Sequence, residues 1–216
     1  MYAQLNSQVI YYEKTGSGPK DIVLLHGNGE THEIFTELAD SLADHYTVYL
    51  PDTRGHGLSA TPAEYHYRDM ASDLINLVRF TGMKQPEVLG FSDGAITAML
   101  AAIRENTMFS KLYLCGGNLS PKGLTFKATM EIKKEYRRTK SPMIGMMLSE
   151  PDIDPKDLSS IKAPVIVFAG QKDMIKETET KRIAESLPKA KLLILPGETH
   201  DSYVVHNARL KKYILQ

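Results

Sequence analysis

The sequence predicts an α/β fold in which a mostly parallel sheet of about eight strands carries helices on both faces. Short apolar runs alternate with longer stretches of helical periodicity. Each run is a few residues long, rich in Val, Ile, Leu or Tyr, and followed at once by Gly, Pro or Ser. The 216 residues can bury a substantial core. They fit a single domain, residues 1–216, better than two.

The strands and helices follow one another in a regular order. Tyr2–Leu5 and Gln8–Lys14 predict an antiparallel hairpin at one sheet edge, joined at Asn6-Ser7. The later apolar runs predict buried strands at Asp21–His26, Tyr46–Leu50, Glu87–Phe91, Lys111–Cys115, Pro164–Ala169 and Lys191–Leu195. Helical periodicity predicts helices at Thr31–Ala43, Tyr67–Thr81, Asp93–Asn106, Lys176–Ser186 and Ser202–Leu215.

Residues 117–162 interrupt this alternation because they contain no buried-strand pattern. A structureless loop of that length is improbable in a compact domain, so we expect a small helical insertion that serves as a lid. Its basic run should form a solvated helix face with the pairs Glu131–Lys134 and Glu135–Arg138. Three methionines either line an adaptable substrate pocket or pack the lid onto the body: Met143, Met146 and Met147.

Composition excludes several classes of function. Lys plus Arg and Asp plus Glu both number 26, so the net charge is zero and no field of one sign recruits nucleic acid or an anionic membrane. The single cysteine, Cys115, excludes an internal disulfide framework and a multi-thiolate metal site. The N-terminus lacks a signal-peptide pattern, and the apolar runs are far shorter than the roughly 20 residues that span a bilayer.

From these exclusions we expect a cytoplasmic protein that acts on a small molecule. It should need no metal and no cofactor, and neither nucleic acid nor a membrane should be its partner. Composition leaves a monomer and a dimer equally open.

The strongest local motif is Gly90-Phe91-Ser92-Asp93-Gly94, which matches G-x-S-x-G. A predicted strand runs directly into it and a predicted helix follows at once, as the motif requires. In such a sharp strand-to-helix turn the serine hydroxyl is exposed at the edge of the sheet. Ser92 is therefore the candidate nucleophile.

A serine hydroxyl needs a base to take its proton and an acid to hold that base in one tautomer. His200 follows the last predicted strand, so it lies at the same sheet edge as Ser92 and is the candidate base. Asp173 follows the strand before it and is the candidate acid. Asp52 also follows a strand and is the alternative acid.

Acyl transfer also needs hydrogen-bond donors for the developing oxyanion. The backbone N–H of Asp93, directly after the nucleophile, is one candidate. The second is the backbone N–H of Asn28, in the glycine-rich HGNGE loop after the Asp21–His26 strand. His26 is expected to tie that loop together rather than to react.

Five stretches in this order resemble the α/β-hydrolase superfamily: LLHGNGE, PDTRGHGLSA, GFSDG, AGQKDMI and LPGETHDS. The resemblance covers nearly the whole chain and implies the α/β-hydrolase fold. It also implies a triad of Ser92, Asp173 and His200. The second stretch is usually architectural in the family, so Arg54 and His56 are assigned no chemistry. The dehalogenase branch typically carries Asp at the nucleophile position, and Ser92 argues against that branch.

GFSDGAITA is similar to the valacyclovirase-like hydrolases, which cleave small α-amino-acid esters. In that group an acidic residue contacts the substrate's amino group, and Asp93 is the corresponding candidate. An Asp in the first turn of a helix is also stabilised by the helix macrodipole without any substrate. Both interpretations of Asp93 stay open.

The leading hypothesis is hydrolysis of a small carboxylic ester through an acyl-enzyme on Ser92, with an amino-acid ester or an activated amide as variants. A cofactor-free perhydrolase or a C–C bond hydrolase would use the same triad. A non-catalytic ligand-binding protein on a hydrolase scaffold is the alternative from another class. It is disfavoured because all three triad members are present.

Overall fold

The computed structural model of the chain describes residues 1–6 and 8–216. The predicted junction at Asn6-Ser7 includes Ser7, which lies outside the described residues. The strands are β1 (Tyr2–Leu5), β2 (Gln8–Thr15), β3 (Lys20–Leu25), β4 (Tyr46–Pro51), β5 (Glu87–Phe91), β6 (Lys111–Cys115), β7 (Val165–Lys172) and β8 (Ala190–Thr199). The helices are α1 (Thr36–Leu42), α2 (Tyr67–Thr81), α3 (Asp93–Arg104), α4 (Phe126–Thr139), α5 (Pro142–Ser149), α6 (Glu177–Ser186) and α7 (Lys211–Ile214).

The strands form one eight-stranded sheet in the order β1-β2-β4-β3-β5-β6-β7-β8. The first two strands pair antiparallel with each other, and β2 pairs antiparallel with β4. All pairs from β4 across to β8 are parallel. The predicted mostly parallel sheet with an antiparallel hairpin at one edge is confirmed.

Apolar side chains on both faces of the sheet are buried beneath the surrounding helices and loops, in one core cluster on each face. In β3, Ile22 and Leu24 pack with α1 and the C-terminal segment, whereas Val23 and Leu25 pack with α2 and α3. Successive residues of a strand point to opposite faces. Because both faces of β3 are covered, all four side chains are buried. A strand covered on both faces therefore reads as a continuous apolar run.

Two strands continue further than their apolar runs predicted. β7 extends to Lys172 and β8 to Thr199, beyond the predicted ends at Ala169 and Leu195. Their pairing continues through an irregularity between Gly170 and Lys172. The extensions are polar and partly exposed, so apolar patterning could not reveal them. As a result, each strand ends directly before a candidate site residue.

The predicted helix Ser202–Leu215 is wrong, because only Lys211–Ile214 is helical there. Residues 201–207 form turns instead. His206 adopts a positive φ of 48°, which interrupts a right-handed helix, and its N–H donates to the Ile34 carbonyl. The Asn207 amide donates to the carbonyls of Ser202 and Val205 and so competes with helical hydrogen bonding. Likewise, the predicted helix Thr31–Ala43 starts as a 3₁₀ turn at His32–Phe35 and becomes α-helical at Thr36.

The insertion, residues 117–162, consists of α4 and α5 between two 3₁₀ turns, Pro121–Gly123 and Pro155–Ser160. The basic residues of α4 are exposed, as expected for a solvated face. Its ion pairs are Glu135–Arg138, as predicted, and Lys127–Glu131, so Glu131 pairs with Lys127 and not with the predicted Lys134. Glu150, directly after α5, links the insertion to the body: its carboxylate accepts a hydrogen bond from the Tyr67 N–H at 3.1 Å and contacts His66 Nδ1 at 2.6 Å. A lid function for this segment stays a prediction.

Arg54 ties the loop after β4 to helix α2. Its guanidinium donates to both oxygens of Asp73, at 2.7 and 2.9 Å, and both side chains are almost fully buried. This contact supports the predicted architectural role of Arg54. Among residues 1–6 and 8–216, no helix has both the length and the apolar character needed to cross a bilayer.

We predict that Arg54→Ala lowers the free energy of unfolding by about 3–5 kcal/mol, because it leaves the buried Asp73 carboxylate without its partner. Urea denaturation measures the change. The matched control is Arg79→Ala, which breaks the exposed pair with Glu105 and should cost less than about 1 kcal/mol. Equal losses in the two variants would contradict the buried-pair interpretation.

Candidate active site

Ser92 occupies a strained turn between β5 and α3. Its backbone has φ 52° and ψ −114°, a conformation that costs a non-glycine residue free energy. The turn is possible because position 94 is glycine: a Cβ there would lie 2.2 Å from the Leu25 carbonyl oxygen. The close crossing of α3 over β3 thus holds the serine in place. This is the geometry that the G-x-S-x-G motif predicted.

The structure brings the three predicted triad residues together from three separate loops. Ser92 Oγ lies 3.1 Å from His200 Nε2, and His200 Nδ1 lies 2.7 Å from Asp173 Oδ1. The Asp173 carboxylate is buried and also accepts the N–H groups of Gly170 and Ile175. Its orientation is therefore set before any substrate arrives.

These contacts determine the tautomer of His200. A carboxylate can only accept, so Nδ1 carries the proton and Nε2 is free to accept the Ser92 hydroxyl hydrogen. The imidazole lies against the Phe91 ring, with centroids 4.9 Å apart. Gly116 makes room on another side, since a Cβ there would lie 2.7 Å from the imidazole Cε1. Gly116 was not singled out from the sequence, because only the folded geometry shows that it contacts His200.

The alternative acid, Asp52, serves a different loop. Its buried carboxylate accepts the N–H groups of His32 and Leu58 and contacts His32 Nδ1 at 2.7 Å. Burial alone would raise the pKa of Asp52, but these hydrogen bonds outweigh it and lower the pKa. Of the two candidate acids, the structure places only Asp173 beside His200.

The two predicted oxyanion donors lie on either side of Ser92. Asn28 lines the same cleft as Ser92, while Asp93 is the first residue of α3. In the described part of the chain, neither backbone N–H has a protein acceptor. The flanking amides of the Asn28 loop are both engaged: Gly27 donates to Glu30 Oε2 at 2.8 Å and Gly29 to His56 Nε2 at 3.0 Å.

The Asp93 side chain is buried beside the site, and both of its carboxylate oxygens have protein donors. It is 5% exposed, and its two oxygens accept the Tyr67 hydroxyl at 2.7 Å and the Asn28 side-chain amide at 3.0 Å. Burial raises the pKa of Asp93, and the two hydrogen bonds act in the opposite direction. The side chain does not contribute to the lining of the cleft. Contact with a substrate amine stays a prediction.

Two buried histidines build the loop beneath the site. His26 Nδ1 donates to the Gly27 carbonyl at 2.7 Å, and its Nε2 accepts the Thr53 N–H at 2.9 Å. This pattern requires a neutral imidazole. Burial, followed by the proximity of His56, lowers the pKa of His26 to about 4. Burial likewise lowers the pKa of His56, whose Nε2 accepts from Gly29. Both contacts support the structural roles expected from the sequence.

Ser92 opens into a cleft of about 310 Å³, lined by Gly27, Asn28, Glu30, Phe91, Ser92, Met147, Met174, His200 and Asp201. This lining includes two carboxylates, those of Glu30 and Asp201, and no Lys or Arg. The methionines of the insertion divide their roles: Met146 is buried in the core, whereas Met147 faces the cleft. Met146 thus packs the insertion onto the body, Met147 borders the cleft, and Met143 belongs to neither group; contact of Met147 with a substrate stays a prediction.

Sequence reasoning missed Glu30, Asp201 and Tyr67. The first two adjoin predicted site residues, so their position in the HGNGE and THDS loops was an available signal. Tyr67 carried no signal, because only the packing of α2 against α3 brings its hydroxyl to Asp93. Cys115 adjoins the site but is fully buried, and burial raises the pKa of its thiol. A thiol of that kind is a poor nucleophile at neutral pH.

Known proteins share this architecture and part of this sequence. The profile of the family described as alpha/beta hydrolase fold matches residues 21–139. Human serine hydrolase BPHL is 24% identical over an alignment of 233 positions, gaps included, that covers 93% of this chain and 79% of that protein. The esterase EaEST from Exiguobacterium antarcticum superposes with a TM-score of 0.85 at 19% identity, over 100% of this chain and 97% of its own. A meta-cleavage product hydrolase from Pseudomonas fluorescens gives a TM-score of 0.82 at 16% identity, over 100% and 96%.

These similarities confirm the fold that the five ordered motifs implied. The family profile ends within α4, so it covers the loops of Asn28 and Ser92 but not those of Asp173 and His200. The superposed structures extend the likeness of fold to the whole chain.

We predict that His26 makes the stability of the protein sensitive to acid. Because the pKa of His26 falls from 6.5 to about 4 on folding, only the unfolded chain takes up this proton between those values. The free energy of unfolding should therefore fall by about 3 kcal/mol as the pH drops from 6.5 to 4. This contribution should level off below pH 4.

Urea denaturation across this pH range, with His26→Gln as the comparison, measures the contribution. The variant does not titrate at this position, so it should lose that part of the slope. His45→Gln, at an exposed histidine, is the matched control and should keep the slope. Identical pH profiles for wild type and His26→Gln would refute the assignment.

Proposed function

The chain belongs to the α/β-hydrolase family, and we propose on that premise that it is a serine hydrolase which cleaves a small carboxylic ester. One observation carries the proposal: an unbroken line of hydrogen bonds runs from Ser92 Oγ through His200 to Asp173. This arrangement activates a hydroxyl for attack on a carbonyl carbon.

In the first half of the reaction, His200 Nε2 takes the Ser92 proton as Oγ bonds to the ester carbonyl carbon. The imidazolium that forms is stabilised by the Asp173 carboxylate, 2.7 Å from Nδ1. The carbonyl oxygen becomes an oxyanion, for which the N–H groups of Asn28 and Asp93 are the donors. When the C–O bond of the ester breaks, the imidazolium gives its proton to the departing alcohol, and an acyl-enzyme remains.

In the second half, water replaces the alcohol. His200 Nε2 takes a proton from the water as its oxygen bonds to the acyl carbon. The tetrahedral intermediate again places its oxyanion against the two amides. The bond between Ser92 Oγ and the acyl carbon then breaks as the carbonyl re-forms. The imidazolium returns its proton to the serine, and the carboxylic acid leaves. No group beyond the chain and water is needed for this cycle.

The cleft favours small substrates without negative charge. Its volume of about 310 Å³ is near the lower end of ligand pockets. Glu30 and Asp201 border it, so an anionic acyl group would meet like charge, whereas an ammonium group would meet opposite charge. The similarity to a protein named serine hydrolase and to one named esterase supports an ester as the substrate.

We predict that Ser92→Ala abolishes turnover of p-nitrophenyl acetate, with a loss of at least about a thousandfold in kcat/KM. A fluorophosphonate probe should label wild type at Ser92 and leave the variant unlabelled. Circular dichroism serves as the check that both proteins are folded.

Two results would contradict this assignment. Undiminished ester turnover by Ser92→Ala would show that another group reacts. A folded wild type whose serine is inert to the probe would instead favour a ligand-binding protein on the same scaffold. Profiling of peracid formation and of C–C bond cleavage distinguishes the other enzymes that use this triad.

We also predict which carboxylate discriminates between α-amino acyl and plain acyl esters. Glu30 lines the cleft and Asp93 does not, so Glu30→Gln should lower kcat/KM about fivefold for amino esters and leave plain esters nearly unchanged. A panel of paired esters that differ only in the amino group measures the selectivity.

Asp93→Asn is tested on the same panel. If Asp93 contacts the substrate amine, its loss should be confined to the amino esters, whereas equal losses on both ester classes would refute that contact. Glu33→Gln, an exposed acid near the same loop, is the matched control and should not change selectivity. A selective loss in Asp93→Asn without one in Glu30→Gln would overturn the choice of Glu30.

A further inference from the structure

The Asn28 loop is held at three consecutive residues. The Gly27 N–H is bound by Glu30, the Gly29 N–H by His56, and the side chain of Asn28 itself by Asp93 Oδ2. Of these three residues, only Asn28 has a backbone N–H without a protein acceptor in the described part of the chain. The loop thus leaves one donor at Asn28 available and fixes its neighbours.

The contact from Asn28 to Asp93 joins two loops that are 65 residues apart in the chain. Each of these residues also carries one of the two proposed oxyanion donors on its own backbone. The 3.0 Å side-chain hydrogen bond therefore joins the two donor residues directly. A shift of either loop would strain this bond.

Tyr67 anchors the other end of the contact. Its hydroxyl donates to Asp93 Oδ1 at 2.7 Å, and its side chain is 1% exposed at the start of α2. With one donor on each oxygen, the carboxylate has little freedom to rotate. The second helix thereby sets the orientation of Asp93, and Asp93 sets the position of the Asn28 loop.

We propose that Asp93, held by Tyr67, is a positioning residue that keeps the backbone N–H groups of Asn28 and Asp93 aimed at a common oxyanion. The proposal rests on the proposed function and extends it, because it assigns the buried carboxylate to the geometry of the transition state and not to the substrate. Donors that are fixed in advance stabilise a transition state without reorganising during the reaction.

The arrangement also explains how the negatively charged Asp93 carboxylate can lie next to the forming oxyanion without opposing the reaction. An unpaired carboxylate there would oppose the reaction. Here both oxygens receive hydrogen bonds from neutral donors, and the group is buried beneath the cleft lining. A purely structural carboxylate would stabilise the fold in the same way but would leave catalysis unaffected when it is loosened.

The experiment loosens the contact at two points that keep Ser92, His200 and Asp173 intact. Tyr67→Phe removes the hydroxyl and keeps the ring, and Asn28→Ala removes the side-chain amide and keeps the backbone donor. Each should lower kcat for a plain acyl ester by about ten- to a hundredfold and change KM by less than about threefold. The affinity for a small alkyl boronic acid should fall in parallel with kcat, because its adduct with Ser92 Oγ places an oxygen in the oxyanion hole.

A double-mutant cycle tests whether the residues act through one contact. Asp93→Ala removes both carboxylate oxygens and so breaks the same bond. The Asn28→Ala/Asp93→Ala protein should be no more than about twofold less active than the less active of the two single variants. Multiplied losses would show that the two residues act independently and would overturn the proposal.

The matched control is Tyr113→Phe. Tyr113 is also fully buried and donates to a carboxylate, that of Glu87, at 2.8 Å, but it does so at the amino end of β5, away from the cleft. This variant should lose stability and keep both kcat and boronic acid affinity. If Tyr67→Phe and Asn28→Ala behave like Tyr113→Phe, the positioning proposal fails while the hydrolase assignment stands. A wild type that neither turns over esters nor reacts with fluorophosphonate would instead remove the proposed function and this proposal together.

Discussion

The site depends on how closely α3 crosses the sheet. A side chain at position 94 would collide with the Leu25 carbonyl, so helix and strand meet backbone to backbone. This contact forces the positive φ of Ser92, and the strain is tolerated because the packing around it leaves no alternative. The same approach places the first residue of α3 against the loop after β3. The serine hydroxyl and both candidate oxyanion donors are thus consequences of one steric constraint.

A parallel sheet supplies the remaining groups. Because β7 and β8 run in the same direction as β5, their carboxyl ends lie at the same edge, and each polar extension ends next to a site residue. The candidate acid and the candidate base therefore each lie one residue beyond a hydrogen-bonded strand end, at the start of a loop. Two buried histidines support the loops at this edge: His26 accepts a hydrogen bond from the Thr53 N–H, and His56 accepts one from the Gly29 N–H.

Sequence patterning could predict the mostly parallel sheet, the positions of its strands along the chain and the three residues that meet at its edge, but not the order in which the strands lie in the sheet. Each strand is a local apolar run, and the rule that parallel strands share an edge needs no knowledge of distances. The C-terminal turns could not be predicted, because the His206 N–H is taken by Ile34 far away in the sequence. The partner of Asp93 was hidden for the same reason: Tyr67 reaches it only after two helices have packed. Local propensity fails where a tertiary hydrogen bond decides.

Tyr67 also makes a hydrogen bond to the insertion, which limits how the insertion could be exchanged. Its backbone N–H is capped by Glu150, the residue that follows α5, while its hydroxyl holds Asp93. One residue thus forms a joint between the insertion and the edge of the sheet that carries the candidate active site. A chimera that exchanged this segment for a longer cap would have to supply a new carboxylate at the start of α2. Exchange of the insertion is therefore constrained at this joint, because the segment also supplies the hydrogen-bond acceptor at the start of α2.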